Sequence, residues 1–221
     1  MPSKVLVMAC LLFFASAKAA SAGQEFPPPS GSGPIVMMAS GLSGPGRYTD
    51  VAKDLAALGY DVVLFDGNAM EGNAGAGMLS AIAEAQKAPH GIPGKMALVG
   101  FSLGGGMILY YGTQHAELAL GAVVWYPATS FIRDTDGFAR RLQMPVVMFA
   151  GGVDQFRNGC CVAAKGQVLA DAARAAGKPF DLTIYPGADH DFVRGGNHYL
   201  PAAYNDALKK TAAALQQYFA R

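Results

Sequence analysis

Ser102 stands at the centre of Gly100-Phe101-Ser102-Leu103-Gly104, between the apolar run 96–99 and a helix-like stretch over 103–113. A Gly-x-Ser-x-Gly pentapeptide between a strand and a helix makes a sharp turn that projects the serine hydroxyl at the helix N-terminus. Bulk two residues before or after the serine would clash, and Gly100 and Gly104 provide the room; Gly105 and Gly106 then let the helix pack closely. The helix dipole and its free N–H groups favour a developing oxyanion at that point. The chemistry this suits is attack of a serine oxygen on a carbonyl carbon.

A serine hydroxyl needs a base to take its proton. Of His90, His115, His190 and His198, only His190 directly follows a strand-like run, at the end of a loop containing Pro186 and Gly187. His90 and His115 lie in polar connections and read as surface residues, while His198, farther along a Gly/Asn loop, is the rival base. The base in turn needs a carboxylate to fix its tautomer and stabilise the imidazolium. Asp154 follows the run 146–150 and fits that role; Asp189 and Asp191 read as surface carboxylates, and Asp66 as structural or pocket-lining. Oxyanion donors are expected from the N–H of Leu103 and from the loop 40–42, with Gly41 or Leu42 as the second donor. Trp125, Tyr126 and Phe131 could wall an apolar substrate site, although core packing explains Trp125 equally well.

These residues need a frame that brings loop ends together. Short, continuous apolar runs at 35–39, 62–65, 96–99, 122–125, 146–150 and 182–185 predict strands buried on both faces. Amphipathic stretches at 48–58, 78–87, 103–113, 162–176 and 201–219 predict helices between and after them. Such alternation predicts an α/β fold in which helices flank a mostly parallel central sheet of about six core strands. In an open parallel sheet, ligands gather beyond the carboxyl ends of the strands, which is where Ser102, Asp154 and His190 fall. One domain is expected over 34–221, preceded by an irregular Pro/Gly/Ser-rich lead-in over 23–33.

Composition agrees with a single enzyme-sized domain. The chain has 221 residues, 52% of them hydrophobic, enough for one sizeable core. With 17 Lys+Arg against 16 Asp+Glu it offers no electrostatic reason for a nucleic-acid partner, and monomer is the default state. Lys4, the apolar run 5–17 and the small-x-small Ala20-Ser21-Ala22 have the pattern of a signal peptide over 1–22. The expectation is export to the periplasm or medium, with no stable membrane insertion after cleavage. Cys160 and Cys161 are then the remaining cysteines, as two free thiols or as a bridge between neighbours. No Cys/His spacing of a zinc site appears, so neither metal nor cofactor is expected.

Three segments resemble the dienelactone hydrolase family of α/β-hydrolases: Gly100-Phe101-Ser102-Leu103-Gly104-Gly105, Ala150-Gly151-Gly152-Val153-Asp154, and Tyr185-Pro186-Gly187-Ala188-Asp189-His190-Asp191-Phe192. The segments 60–66 and 122–127 follow the same pattern, and the likeness runs from about residue 34 to 219. The resemblance implies the α/β-hydrolase fold, with Ser102, Asp154 and His190 in the three catalytic positions and a small-molecule ester or lactone as substrate. Founding members use a cysteine nucleophile and a glutamate in the loop after the first core strand. This chain has Ser102 and the carboxylate-free loop Ala39-Ser40-Gly41-Leu42-Ser43-Gly44, which favours a broader ester hydrolase. Arg194 matches a family arginine that holds a substrate carboxylate, or is a surface arginine. A peptidase, a thioesterase or a non-catalytic binder on the same fold are the alternatives; a complete Ser-His-Asp set argues against the binder.

Overall fold

The computed structural model describes residues 22–71 and 73–221. All of the expected leader except Ala22, including Cys10, lies outside the described residues. The strands are β1 Gln24–Phe26, β2 Gly33–Ala39, β3 Asp61–Phe65, β4 Gly91–Phe101, β5 Ala119–Trp125, β6 Val146–Gly151 and β7 Phe180–Tyr185. The helices are α1 Thr49–Ala57, α2 Ala76–Ala85, α3 Ser102–Tyr110, α4 Thr135–Arg141, the irregular turn α5 Phe156–Gly159, α6 Ala163–Ala175 and α7 Pro201–Phe219.

Among the described residues the strands form one seven-stranded sheet in the order β1-β3-β2-β4-β5-β6-β7. Every pairing is parallel except β1 with β3. Successive side chains of a strand point to opposite faces, and here both faces are covered. Ile35, Met37 and Ala39 of β2 pack with α2, α3, α4 and α6, while Val36 and Met38 pack with α1 and α7. That double cover is why the strands read as unbroken apolar runs rather than as alternating ones. The fold is the single-domain α/β architecture expected.

The seventh strand is a correction to the expected lead-in. Gln24–Phe26 has no apolar run, yet it pairs antiparallel with β3, Glu25 opposite Val63. A three-residue edge strand carries too little pattern to be legible alone. Helix α4 is a second addition: at seven residues it is short, and Asp134 caps it by accepting the Gly137 N–H at 2.8 Å. Leu58, the last residue of the amphipathic stretch 48–58, caps α1 and is 52% exposed. Cys160 and Cys161 are joined as a disulfide, with Cys161 fully buried. The Cys160 carbonyl accepts the N–H groups of Thr129 and Ser130 at 2.9 and 3.0 Å.

One feature at the amino end of the sheet is unusual. Asp61 opens β3 fully buried, and burial together with the neighbouring Glu25 carboxylate pushes its carboxyl up to about 6.

The site-bearing junction is tightest where α3 meets the loop after β2. The Gly104 N–H donates to the Ser40 carbonyl at 3.1 Å, and a Cβ on Gly104 would run into that same oxygen and lie 2.7 Å from the Ala39 Cβ. The neighbours are backbone oxygen and a Cβ fixed directly to the backbone, so they cannot swing aside. Gly104→Ala is therefore expected to destabilise the protein by about 1–3 kcal/mol, the usual range for overpacking, seen as a Tm several degrees lower in thermal unfolding.

Candidate active site

Three strands end at one edge of the sheet and each hands a functional side chain to the loop that follows. Ser102 follows β4 with φ +48°, in the left-handed region that an L residue enters at a cost. Its carbonyl is held by the Ala128 N–H at 2.8 Å. A Cβ on Gly100 would lie 2.8 Å from the Gly105 Cα, so the turn closes only over glycine. Asp154 follows β6, and His190 follows β7 on a loop that folds back over the strand ends.

The structure brings these three together. Ser102 Oγ lies 3.0 Å from His190 Nε2, and His190 Nδ1 lies 2.7 Å from Asp154 Oδ2. The other Asp154 oxygen accepts the Phe156 N–H at 2.9 Å, and all three residues are buried. With Nδ1–H donating to the carboxylate, Nε2 is left as an acceptor facing the serine hydroxyl. The arrangement can take a proton from Ser102 and hold it as imidazolium.

The oxyanion candidates flank Ser102. The Leu103 N–H stands in the first turn of α3, Gly41 approaches so closely that a Cβ there would lie 3.0 Å from the Ser102 Cβ, and Leu42 lines the adjoining cavity. Behind them, burial and the Asp191 charge push the Tyr48 phenol up to about 12. Burial, with Tyr48 and Asp191 nearby, drives Tyr126 well above the usual phenol range. Both therefore remain protonated donors at neutral pH.

Above Ser102 opens a cavity of about 340 Å³, lined in part by Leu42, Arg47, Tyr48, Phe156, Arg157 and His198. Phe156 lies flat on the His190 ring, with centroids 4.2 Å apart and planes 3° from parallel. On another side the Tyr126 ring meets His190 edge-on at 4.9 Å. The imidazole is thus held by aromatic neighbours as well as by Asp154. Arg157 lies with its guanidinium 5.7 Å from the Phe156 ring centre, and Arg47 is tied to Asp191 at 3.3 Å and Asn197 at 2.6 Å.

Several expected wall residues lie elsewhere. Trp125 is buried among Phe101, Phe149, Phe192 and Tyr204 and does not line the cavity. Tyr126 is fully buried behind His190, and Phe131 packs on Tyr110. Arg194 points away from the cavity to Asp54 of α1, with Asp50 at 4.0 Å, and stacks over Tyr204. The Asp54 hydrogen bond raises its pKa further, so its charge is already partnered. Asp191, expected at the surface, is buried and receives Arg47 and the Asn197 N–H. His198 does line the cavity, but its Nδ1 is bound to the His190 carbonyl at 2.8 Å. Phe156, Arg47, Arg157 and Tyr48 were not singled out from the sequence; position after a strand end would have pointed to Phe156 and Arg157, two and three residues past Asp154.

Comparison with known proteins gives the family and the fold. The profile of the dienelactone hydrolase family matches residues 66–219. The chain belongs to the dienelactone hydrolase family, and by that membership it is a carboxylic-ester hydrolase. A comparison with curated protein sequences gave no match. Among solved structures, a candidate dienelactone hydrolase from Klebsiella pneumoniae subsp. pneumoniae superposes with a TM-score of 0.73 at 21% identity, covering 88% of this chain and 92% of the other. Est1E from Butyrivibrio proteoclasticus gives 0.69 at 13% identity, with 90% and 94% covered. A dienelactone hydrolase-like promiscuous phosphotriesterase from metagenomic libraries gives 0.69 at 18% identity, with 89% and 92% covered. At these identities the likeness is one of fold.

Removing the aromatic face from the imidazole should matter. Stacking contributes about 0.5–1.5 kcal/mol beyond area burial, so Phe156→Ala is expected to lower kcat/KM for a simple ester about 2- to 10-fold with the protein still folded.

Proposed function

We propose that the protein is a serine hydrolase that cleaves small carboxylic esters or lactones through an acyl-enzyme intermediate. The reading rests on the continuous relay Ser102 Oγ–His190 Nε2 at 3.0 Å and His190 Nδ1–Asp154 Oδ2 at 2.7 Å, placed at the floor of an open cavity. His190 takes the proton of Ser102 as Oγ bonds to the ester carbonyl carbon. The carbonyl oxygen gains negative charge and is met by the Leu103 N–H and by a second N–H from Gly41 or Leu42. Asp154 stabilises the imidazolium. His190 then gives the proton to the leaving alcohol as the C–O bond breaks, and a water activated by His190 hydrolyses the Ser102 ester. No cofactor enters these steps.

The cavity favours a substrate with a negative group beyond the acyl carbon. Arg157 makes no ion pair among the described residues, while Arg47 is engaged by Asp191 and Asn197. Arg157 takes over the substrate-carboxylate role that the family resemblance assigned to Arg194.

Steady-state hydrolysis of paired p-nitrophenyl esters, one neutral and one bearing a free carboxylate, tests both parts. Ser102→Ala should lose at least about 10³-fold in kcat with either ester. Arg157→Ala should raise KM for the carboxylate ester about 10-fold and leave the neutral ester nearly unchanged. Wild-type rates in folded Ser102→Ala would sink the mechanism, and equal effects on the two esters would sink the role of Arg157.

The reading includes export, supported by Lys4, the apolar run 5–17 and Ala20-Ser21-Ala22. Protein recovered from a periplasmic fraction should have Gly23 as its first residue by mass spectrometry; an intact N-terminus retained in the cytoplasm would contradict export.

A further inference from the structure

The end of the sheet remote from Ser102 carries a second cluster of chemistry-bearing side chains. Glu25 of β1, Asp61 at the start of β3 and His90 just before β4 present donor atoms that all lie within 4.8 Å of one another. Sheet topology assembles them. Glu25 stands opposite Val63 in the antiparallel β1–β3 pair, and Asp61, two residues before Val63, projects on the same face. His90 is anchored by its carbonyl, which accepts the Gly33 N–H at 3.0 Å. Glu25 Oε1 lies 3.2 Å from the His90 backbone N–H and 3.1 Å from its Nδ1.

Asp61 is the member that needs explaining. It is fully buried, and neither of its carboxylate oxygens has a hydrogen-bond partner. A buried carboxylate with no donor is both costly and rare. Its polar neighbours are a second carboxylate, which can only accept when ionised, and an imidazole that already faces Glu25. Among the described residues no Lys or Arg forms an ion pair with any of the three. Two acidic groups and one imidazole therefore converge on a point that no Lys or Arg among the described residues meets.

We propose that Glu25, Asp61 and His90 form a structural site for a divalent transition-metal ion, with zinc the best match. Two oxygens and one imidazole nitrogen suit a borderline ion, whereas calcium and magnesium prefer oxygen ligands alone. Zinc bonds of about 2.0–2.2 Å set tetrahedral ligands about 3.4 Å apart. Glu25 and His90 are only partly buried and can close by about an ångström onto the fixed Asp61 carboxylate, with water completing the shell. The ion would fasten β1, a three-residue edge strand, to β3 and to the turn before β4. The site sits at the amino ends of the parallel strands, whereas Ser102, Asp154 and His190 follow their carboxyl ends, so its effect falls on stability. The absence of a Cys/His zinc spacing in the sequence is no obstacle, because the ligands come from two separate strands and the turn before a third.

Titration of the chelator-stripped full chain with zinc chloride, followed by calorimetry and by thermal unfolding, tests the proposal. One strong site per chain is expected, with Tm rising by about 5–10 °C at a hundredfold excess over Kd and falling back on addition of chelator. Glu25→Gln, at a partly exposed position compatible with folding, should abolish both the strong site and the Tm rise, and Asp61→Asn should do the same. Zinc binding undiminished in Glu25→Gln would assign the ion to other histidines and overturn the site. A wild-type chain that binds no stoichiometric zinc would leave Asp61 and Glu25 sharing a proton and would overturn it equally.

Discussion

A serine held in the left-handed backbone region is the constraint on which the rest of the site depends. Such a conformation costs about 1–3 kcal/mol and persists only where the surroundings over-determine it. Here β4 is paired on both sides, by β2 and β5, up to the residues just before Ser102. Beyond it, α3 is clamped by the Gly104 N–H on the Ser40 carbonyl, and the Ser102 carbonyl is clamped by Ala128. The glycines at 100 and 104 are the condition for that closure, because any side chain there would meet backbone or the packed helix. The same clamp brings the loop 40–42 alongside the serine. One strained residue therefore fixes both the direction of the Ser102 hydroxyl and its spacing from that loop.

The second and third members arrive by a looser route, and the structure compensates with contacts. His190 comes from a loop and is fixed from three directions: Asp154 on Nδ1, the flat face of Phe156, and the edge of Tyr126. Asp154 is itself fixed by the N–H of Phe156, so one short segment supplies the carboxylate, the stacking ring and the arginine of the cavity wall. Beside that wall, the buried Tyr48, Tyr126 and Asp191 lie together, and the partly exposed Arg47 pairs with Asp191. The carboxyl ends of the strands thus gather Ser102, Asp154 and His190, and the amino ends gather Glu25, Asp61 and His90.

Much of the frame was legible because it is local. Each core strand is an apolar run that both faces bury, and Pro201–Phe219 is helical over the range its pattern predicts. Ser102, Asp154 and His190 were legible because each follows such a run in a fixed order. The cavity walls were not, because they depend on which way a side chain turns after the strand ends. Trp125 is the last residue of β5, and its side chain points into the core with Phe149 and Phe192. Arg194 was drawn away by Asp54, a residue 140 positions earlier whose nearness no local pattern encodes. Asp191 likewise reads as polar surface until the fold brings Arg47 to it. The edge strand β1 was lost for a simpler reason, since three residues hold no periodicity.

Acyl transfer through Ser102 requires that its oxygen become covalently bonded to the acyl group during turnover. Rapid quenching of the protein with a p-nitrophenyl ester, followed by intact-mass and peptide mass spectrometry, observes that step directly. A transient gain of one acyl mass is expected, confined to the peptide containing Ser102 and decaying as free acid appears. Turnover that proceeds with no adduct, or with an adduct on another residue, would contradict it.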